Sequence, residues 1–520
     1  MFILITVSIL LITALILLIL RFTLGEYRYS WLIATSGALF AWLSIFLWQL
    51  NMPMQIQLPL WQPAALFPQS PFFVADGIAW VFAVSLISLC LAVIVTAVIR
   101  ENFPYPISWI GNLILTALGV LAVTADNPLT LVLLWAAIDI AELIAQMRFV
   151  EQPQMSESVV IAFSSRVTGI LILLWADMVS ASAGINLDFR AAPPQAGLYL
   201  ILAAGLRLGV IPLHLPYTNE VSMRRGFGTA LRMISAGSSL ILLARIPISS
   251  LASPFAPYLM LFVSFAALYG AWMWLRAPDE LTGRPFWIIG MGSLAFAAAL
   301  RGNPIGATAW SCALILVGGT LFLTSMQNKW LERSLFLGVL AISALPFSLT
   351  ATGWVTADLR FWYAVPFLLA AHAMLIAGLI RHILRSSTRV TFDNQPPWAR
   401  NVYPIGVMIL LVTIIGLSSF GWSGTLQIGS WRLGLIASLL ATGLFWLTPR
   451  LRILNPVRAH WVRPTNPTWL DWSYRTLWSG YQLFSRLSNS FSNLLEGESG
   501  IMWTLLFLAL FISFFTRRTP

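Results

Sequence analysis

Apolar runs of about 20 residues, the length a helix needs to cross the hydrocarbon core of a bilayer, recur roughly sixteen times between residues 2 and 516. That repetition leaves little choice of architecture. In lipid every backbone N–H and C=O must be satisfied inside the protein, so long unbroken apolar runs cross as helices. The expected spans are roughly 2–20, 31–50, 72–99, 106–124, 128–147, 158–178, 195–215, 226–245, 254–275, 285–300, 305–325, 334–352, 361–380, 402–420, 431–448 and 500–516. The fold class expected is therefore an all-α polytopic membrane protein. Only 9% of residues are charged, where a soluble domain carries about 25%. A soluble enzyme, a nucleic-acid binder and a secreted module are excluded on that ground. The first run is too long, and too poor in small cleavage-site residues, for a removable signal, and reads as a true span.

The net charge of +11 sits in short loops between the runs. Odd-numbered loops hold Arg21, Arg28, Arg100, Arg148, Arg224, Arg225, Arg276, Arg284, Lys329, Arg333, Arg381, Arg385, Arg389, Arg450, Arg452, Arg458 and Arg463. Even-numbered loops are nearly bare, and residues 51–71 carry no charge. Basic loops stay on the cytoplasmic side, so the expectation is a multi-pass protein of the cytoplasmic (inner) membrane with its N-terminus outside. Only Arg517 and Arg518 run against this order. Cys90 and Cys312 lie inside apolar runs without a CxxC or Cys/His cluster, which indicates neither a disulfide framework nor a metal site. No flavin, quinone, nucleotide or Fe–S signature is present, so no cofactor is expected and the chain is not read as an enzyme by itself. The lipid bilayer is an expected partner; nucleic acid is not.

Between the fifteenth and last runs the pattern changes. After Pro456, Pro464 and Pro467, apolar residues recur as Leu470, Tyr474, Leu477, Tyr481, Phe484, Leu487, Phe491 and Leu494, with Asp471, Arg475, Gln482, Arg486 and Asn493 interposed. This helical period is too polar to span and fits a helix lying along the membrane surface or along neighbouring subunits. Some 28 residues at about 1.5 Å each would reach roughly 40 Å.

Pro212 and Pro346 interrupt or end two runs that are five spans apart. Paired breaks at corresponding places suggest two inverted five-helix repeats, a common frame for a transport path. One proline alone would read as a simple kink. The organisation expected is 1–105 (spans 1–3), 106–250 and 251–382 (the two repeats), 383–450 (spans 14–15), 451–498 (linker and lateral helix) and 499–520 (last span and tail).

Ionisable groups inside apolar runs are expensive and suggest function by default. They are Asp139, Glu142, Arg166, Arg207, His214, Arg232 and His372. Three readings stay open for the first half: permanent salt bridges between the carboxylates and arginines, proton carriage by Asp139, Glu142 and His214 with the arginines tuning them, or a water-filled cavity for another solute. His372 reads as a hydrogen-bonded structural histidine, and Asp358 as a solvated residue near an outer loop.

Four stretches in order carry a family resemblance: "FVADGIAWVFAVSLISL", "ADNPLTLVLLWAAIDIAEL", "GLRLGVIPLHLPY" followed by "ALRMISAG", and "ISALPFSLTATGWVTADL". Together they resemble the antiporter-like membrane subunits of respiratory complex I, of the NADH-quinone oxidoreductase chain 5 type, and the large subunits of Mrp-type cation/proton antiporters. The resemblance implies the two broken-helix repeats, a lateral helix before the last span, other membrane subunits as partners, and protons or small cations as solute. It also implies a midplane relay of Glu, Lys and His, from which this chain departs. The relay glutamate falls on Ala136, one lysine on Arg207, the histidine on Thr229 and a second lysine on Ala357, beside Asp358; "TAWSCALILVGGTLFL" lacks the eleventh-span lysine. Lysine can shed its proton when desolvated, whereas arginine stays charged. Lys329, in a loop, is the single lysine. The function expected is an antiporter-like proton- or cation-translocating subunit of a complex I-like assembly with a degenerate, lysine-free relay. The alternatives are a non-conducting structural or coupling subunit, and a membrane partner of an inorganic-carbon uptake complex.

Overall fold

The computed structural model describes residues 2–25, 29–59, 69–99, 106–147, 153–215, 225–247, 254–327, 329–355, 359–385, 390–391, 396–422 and 431–447, together with Arg475, Thr476, Ser479 and Gln482. The helices are α1 (Phe2–Leu24), α2 (Ser30–Phe46), α3 (Gly77–Val95), α4 (Pro106–Thr124), α5 (Pro128–Met147), α6 (Pro153–Ser182), α7 (Pro194–Leu208) and α8 (Arg225–Arg245). They continue as α9 (Ala256–Arg276), α10 (Glu280–Leu300), α11 (Pro304–Leu323), α12 (Lys329–Ile342), α13 (Val365–Leu384), α14 (Pro397–Phe420) and α15 (Trp431–Leu447). Each falls on one of the first fifteen apolar runs, and twelve helices are long and apolar enough to cross a membrane. The protein is an all-α, multi-pass membrane protein. The chain divides into two compact units, Met1–Ala459 and His460–Pro520. Of the second unit, Arg475, Thr476, Ser479 and Gln482 are helical; the rest of the amphipathic segment and the last run lie outside the described residues.

The third run needs a correction. Its first residues form a strand, β2 (Phe72–Ala75), antiparallel to β1 (Met54–Gln57), with Met54 opposite Ala75. Hydropathy cannot separate a short buried strand from the start of a helix; Asp76 makes the separation. Its backbone is extended, and its Oδ1 accepts a hydrogen bond from the Ala79 N–H at 2.8 Å, which caps α3. Asp76→Ala removes that acceptor and is expected to lower stability by about 1 kcal/mol. Asp76→Asn, which keeps the acceptor, should restore most of the loss in a melting experiment.

Helices α4–α8 and α9–α13 pack by one scheme. Within each group the first helix lies against the second and the fifth, the second against the third and fifth, the third against the fourth, and the fourth against the fifth. The groups meet chiefly where α8 packs on α11, with α10 also touching α7 and α8. α3 and α10 are buried along their whole apolar length. By contrast α1 exposes Leu4, Ile12 and Leu15, as a lipid-facing helix does.

The fourth helix of each group is short, 15 residues in α7 and 14 in α12. α7 ends at Gly209, whose φ of 70° is left-handed, a conformation that glycine adopts without a Cβ penalty. Pro212 and Pro346 each stand four residues beyond the last helical residue, so they follow the breaks rather than kinking a continuous helix. The freed backbone groups are taken up locally. Thr350 donates from both N and Oγ1 to the Ala341 carbonyl, at 3.1 and 2.9 Å, and its Oγ1 accepts from the Ala344 N–H at 3.0 Å.

Candidate functional site

Asp139 and Glu142 are three residues apart on α5, a spacing that puts both carboxylates on one helix face. The structure surrounds them with arginines from the next three helices. Arg207 of α7 makes a two-pronged contact with Asp139, Nη1 to Oδ2 at 2.5 Å and Nη2 to Oδ1 at 2.8 Å. Arg166 of α6 reaches both acids, with its Nε 3.6 Å from Asp139 Oδ1 and its Nη1 paired with Glu142 Oε2. Arg232 of α8 closes the set by pairing with Glu142 Oε1, which also accepts from Gln146 Nε2 at 2.7 Å. None of the five charged residues is more than 1% exposed.

The neighbours hold this geometry. Arg207 donates from Nε to Ser239 Oγ at 3.2 Å, and its guanidinium lies 4.3 Å from the centre of the Trp135 ring. Trp135 in turn donates to the Ser238 carbonyl at 3.0 Å, which ties α5 to α8. Gly169 leaves the Arg207 stem its path: a Cβ there would come within 2.8 Å of Arg207 Cγ and 3.0 Å of the Ala203 carbonyl oxygen. Charge-assisted, two-pronged contacts of this kind are the strong ones. In a dry interior they favour the ionised carboxylate, so the arrangement suits a clamp better than a proton carrier.

The other expected residues are scattered. His214 follows the α7 break and donates from Nδ1 to the Pro212 carbonyl at 2.7 Å; its buried Nε2 has no hydrogen-bond partner among the described residues. His372 of α13 uses both ring nitrogens. Its Nε2 donates to the Ile342 carbonyl at 2.6 Å, and its Nδ1 accepts from Trp354 Nε1 at 3.4 Å, with the Trp310 ring edge-on at 4.9 Å. It therefore covers the carbonyl left over where α12 stops. Ala136 packs against the core one turn before Asp139, and Thr229 returns its hydroxyl to the Arg225 carbonyl. Asp358 and Ala357 lie outside the described residues.

A second charged cluster escaped the reading of the sequence. Arg245, at the end of α8, pairs with Asp126 at 3.1 Å and Asp76 at 3.5 Å and donates to the Val74 carbonyl at 3.1 Å. Arg190 reaches the other side of Asp126 at 3.1 Å. Burial raises the Asp126 carboxyl above its ordinary value, with Arg245 pulling the other way. Arg245 borders an even-numbered loop, where basic residues are otherwise nearly missing, and that anomaly was the available signal. At the other end of α8, Arg225 pairs with Glu280 of α10 at 2.7 Å.

No protein-family model and no curated protein sequence matches this chain. Solved structures do. The Mrp complex from Dietzia sp. DQ12-45-1b superposes with a TM-score of 0.74 at 15% identity, over 100% of this chain and 63% of that one. This chain thus spans about three-fifths of the Mrp chain's length. Respiratory complex I from Thermus thermophilus with bound Aureothin gives 0.60 at 16% identity, over 82% of this chain and 99% of that one. The membrane-bound sulfane sulfur reductase (MBS), an archaeal respiratory membrane complex, gives 0.63 at 14% identity, over 98% and 100%. At such low identity the likeness speaks for architecture, and the chain has the fold of an antiporter-like, complex I-type membrane subunit.

Proposed function

We propose that this chain is an antiporter-like subunit of a multi-subunit, energy-converting membrane assembly of the complex I or Mrp kind, in which it couples or braces its neighbours and relays no protons along α5–α8. The reading places it in the cytoplasmic membrane with its N-terminus outside. The observation that carries it is the Asp139–Arg207 fork, buried and joined through Arg166 to Glu142 and Arg232. A relay needs groups that gain and lose protons near working pH, and guanidinium does not. The single lysine, Lys329, sits exposed at the start of α12. Translocation of a proton or small cation is the second reading, favoured by the paired breaks after α7 and α12.

The test is proton uptake by proteoliposomes holding the purified chain under an imposed potential. The expected rate equals that of protein-free liposomes. Uptake well above that background and lost in Glu142→Gln would overturn the proposal in favour of translocation. Purification of the tagged chain from native membranes in mild detergent should also bring partner subunits with it; recovery of the chain alone would count against an assembly.

A further inference from the structure

The midplane cluster does not balance its own charge. Three guanidinium groups, those of Arg166, Arg207 and Arg232, share two carboxylates, those of Asp139 and Glu142. Arg207 is matched to Asp139 and Arg232 to Glu142, so Arg166, which touches both acids, is the supernumerary cation. Nothing nearby restores the balance among the described side chains. Gln146, Ser238 and Ser239 are neutral, and Glu280 is committed to Arg225. Asp177, on α6 itself, lies three turns away from Arg166. Arg284 of α10 makes matters worse, since its charge acts on Arg232. An uncompensated ion in a dry protein interior is strongly unfavourable, and arginine cannot escape by losing its proton.

We propose that the cluster holds one small monovalent anion as part of the native structure. The count of charges sets the valence. Size is set by the packing, because none of the five residues is more than 1% exposed and Gly169 is pressed against the Arg207 stem. The forked donors of guanidinium groups favour a planar oxyanion, which they can hold by two parallel hydrogen bonds, over a spherical ion. The site explains the departure at Ala136. A glutamate there, one turn before Asp139, would supply the missing negative charge covalently; with alanine the charge has to come from solution. This inference goes beyond the proposed function and stands whether or not protons cross.

The purified full-length chain in neutral detergent, equilibrated in sodium gluconate at fixed ionic strength, would be titrated with nitrate, bicarbonate and chloride while its melting is followed by tryptophan fluorescence. The expected result is a saturable rise in melting temperature of roughly 2 °C or more, larger for the two planar oxyanions than for chloride. Arg166→Gln, which leaves two one-to-one ion pairs, should fold and lose the response. Ala136→Glu should lose it as well, by carrying its own counter-charge. Absence of a response in the unaltered chain, or the same response in Arg166→Gln, would overturn the proposal. A further arm compares nanodiscs of phosphatidylglycerol with nanodiscs of phosphatidylcholine. Stabilisation by the anionic lipid, with none from the three ions, would assign the counter-charge to a lipid phosphate and also overturn it.

Discussion

Asp139→Leu is expected to destabilise the protein by about 3–5 kcal/mol, the range for breaking a buried ion pair by removing one partner. The substitution strips Arg207 of both prongs of its contact and leaves three arginines around Glu142 alone. Leucine is close in size to aspartate, so the loss is electrostatic rather than a cavity effect. The reverse case separates the two causes. Asp139→Leu combined with Arg207→Met removes the pair together and should recover most of the loss, since a buried pair replaced by apolar residues of similar volume is often neutral. Thermal melting of the two single variants and the double variant in one detergent forms the cycle. Additive losses would mean that Asp139 and Arg207 are not coupled, and the clamp would fail with them.

The second large effect is steric. Gly270 of α9 faces α10 so closely that a Cβ would lie 2.6 Å from the Gly290 nitrogen, 3.0 Å from its Cα and 3.0 Å from the Phe286 carbonyl oxygen. All three are backbone atoms and cannot turn aside. Gly270→Leu therefore has to force apart two helices at the centre of the second repeat, one of them buried along its whole length. The expected loss exceeds about 3 kcal/mol, the upper end of ordinary overpacking, and should appear as failure to recover monodisperse protein. Gly416 of α14 is the control, because a Cβ there meets nothing within 4 Å. Gly416→Leu should purify normally. Equal behaviour of the two variants would show that the α9–α10 contact is not close.

The two glycines mark a limit of sequence reading. Both interrupt apolar runs, and neither composition nor periodicity tells which is pressed against another backbone. The same holds at the charged residues. That Asp139, Glu142, Arg166, Arg207 and Arg232 matter was legible, because each sits where lipid or packed side chains exclude water. Which arginine grips which acid was not. Arg207 and Asp139 are 68 residues apart, and Arg232 and Glu142 are 90 apart; their meeting depends on how α5, α7 and α8 cross. Asp76 and Asp126, quoted only as parts of family-like motifs, turned out to share Arg245, a residue that sequence reading passed over because it stood at the edge of a run.

What the sequence determined by itself was the number and order of the helices through α15, the two breaks, and the burial of unpaired-looking charge. All of these follow from hydropathy and from backbone chemistry within one turn or one span. What only the tertiary structure decided was the partnering: the β1–β2 hairpin ahead of α3, the fork between Asp139 and Arg207, the place of Arg166 between two acids, and the glycine crossing of α9 and α10. Partnering is set by side-chain shape across helices far apart in the chain. A membrane offers no hydrophobic preference among the faces of its helices, so hydropathy carries no record of which face meets which.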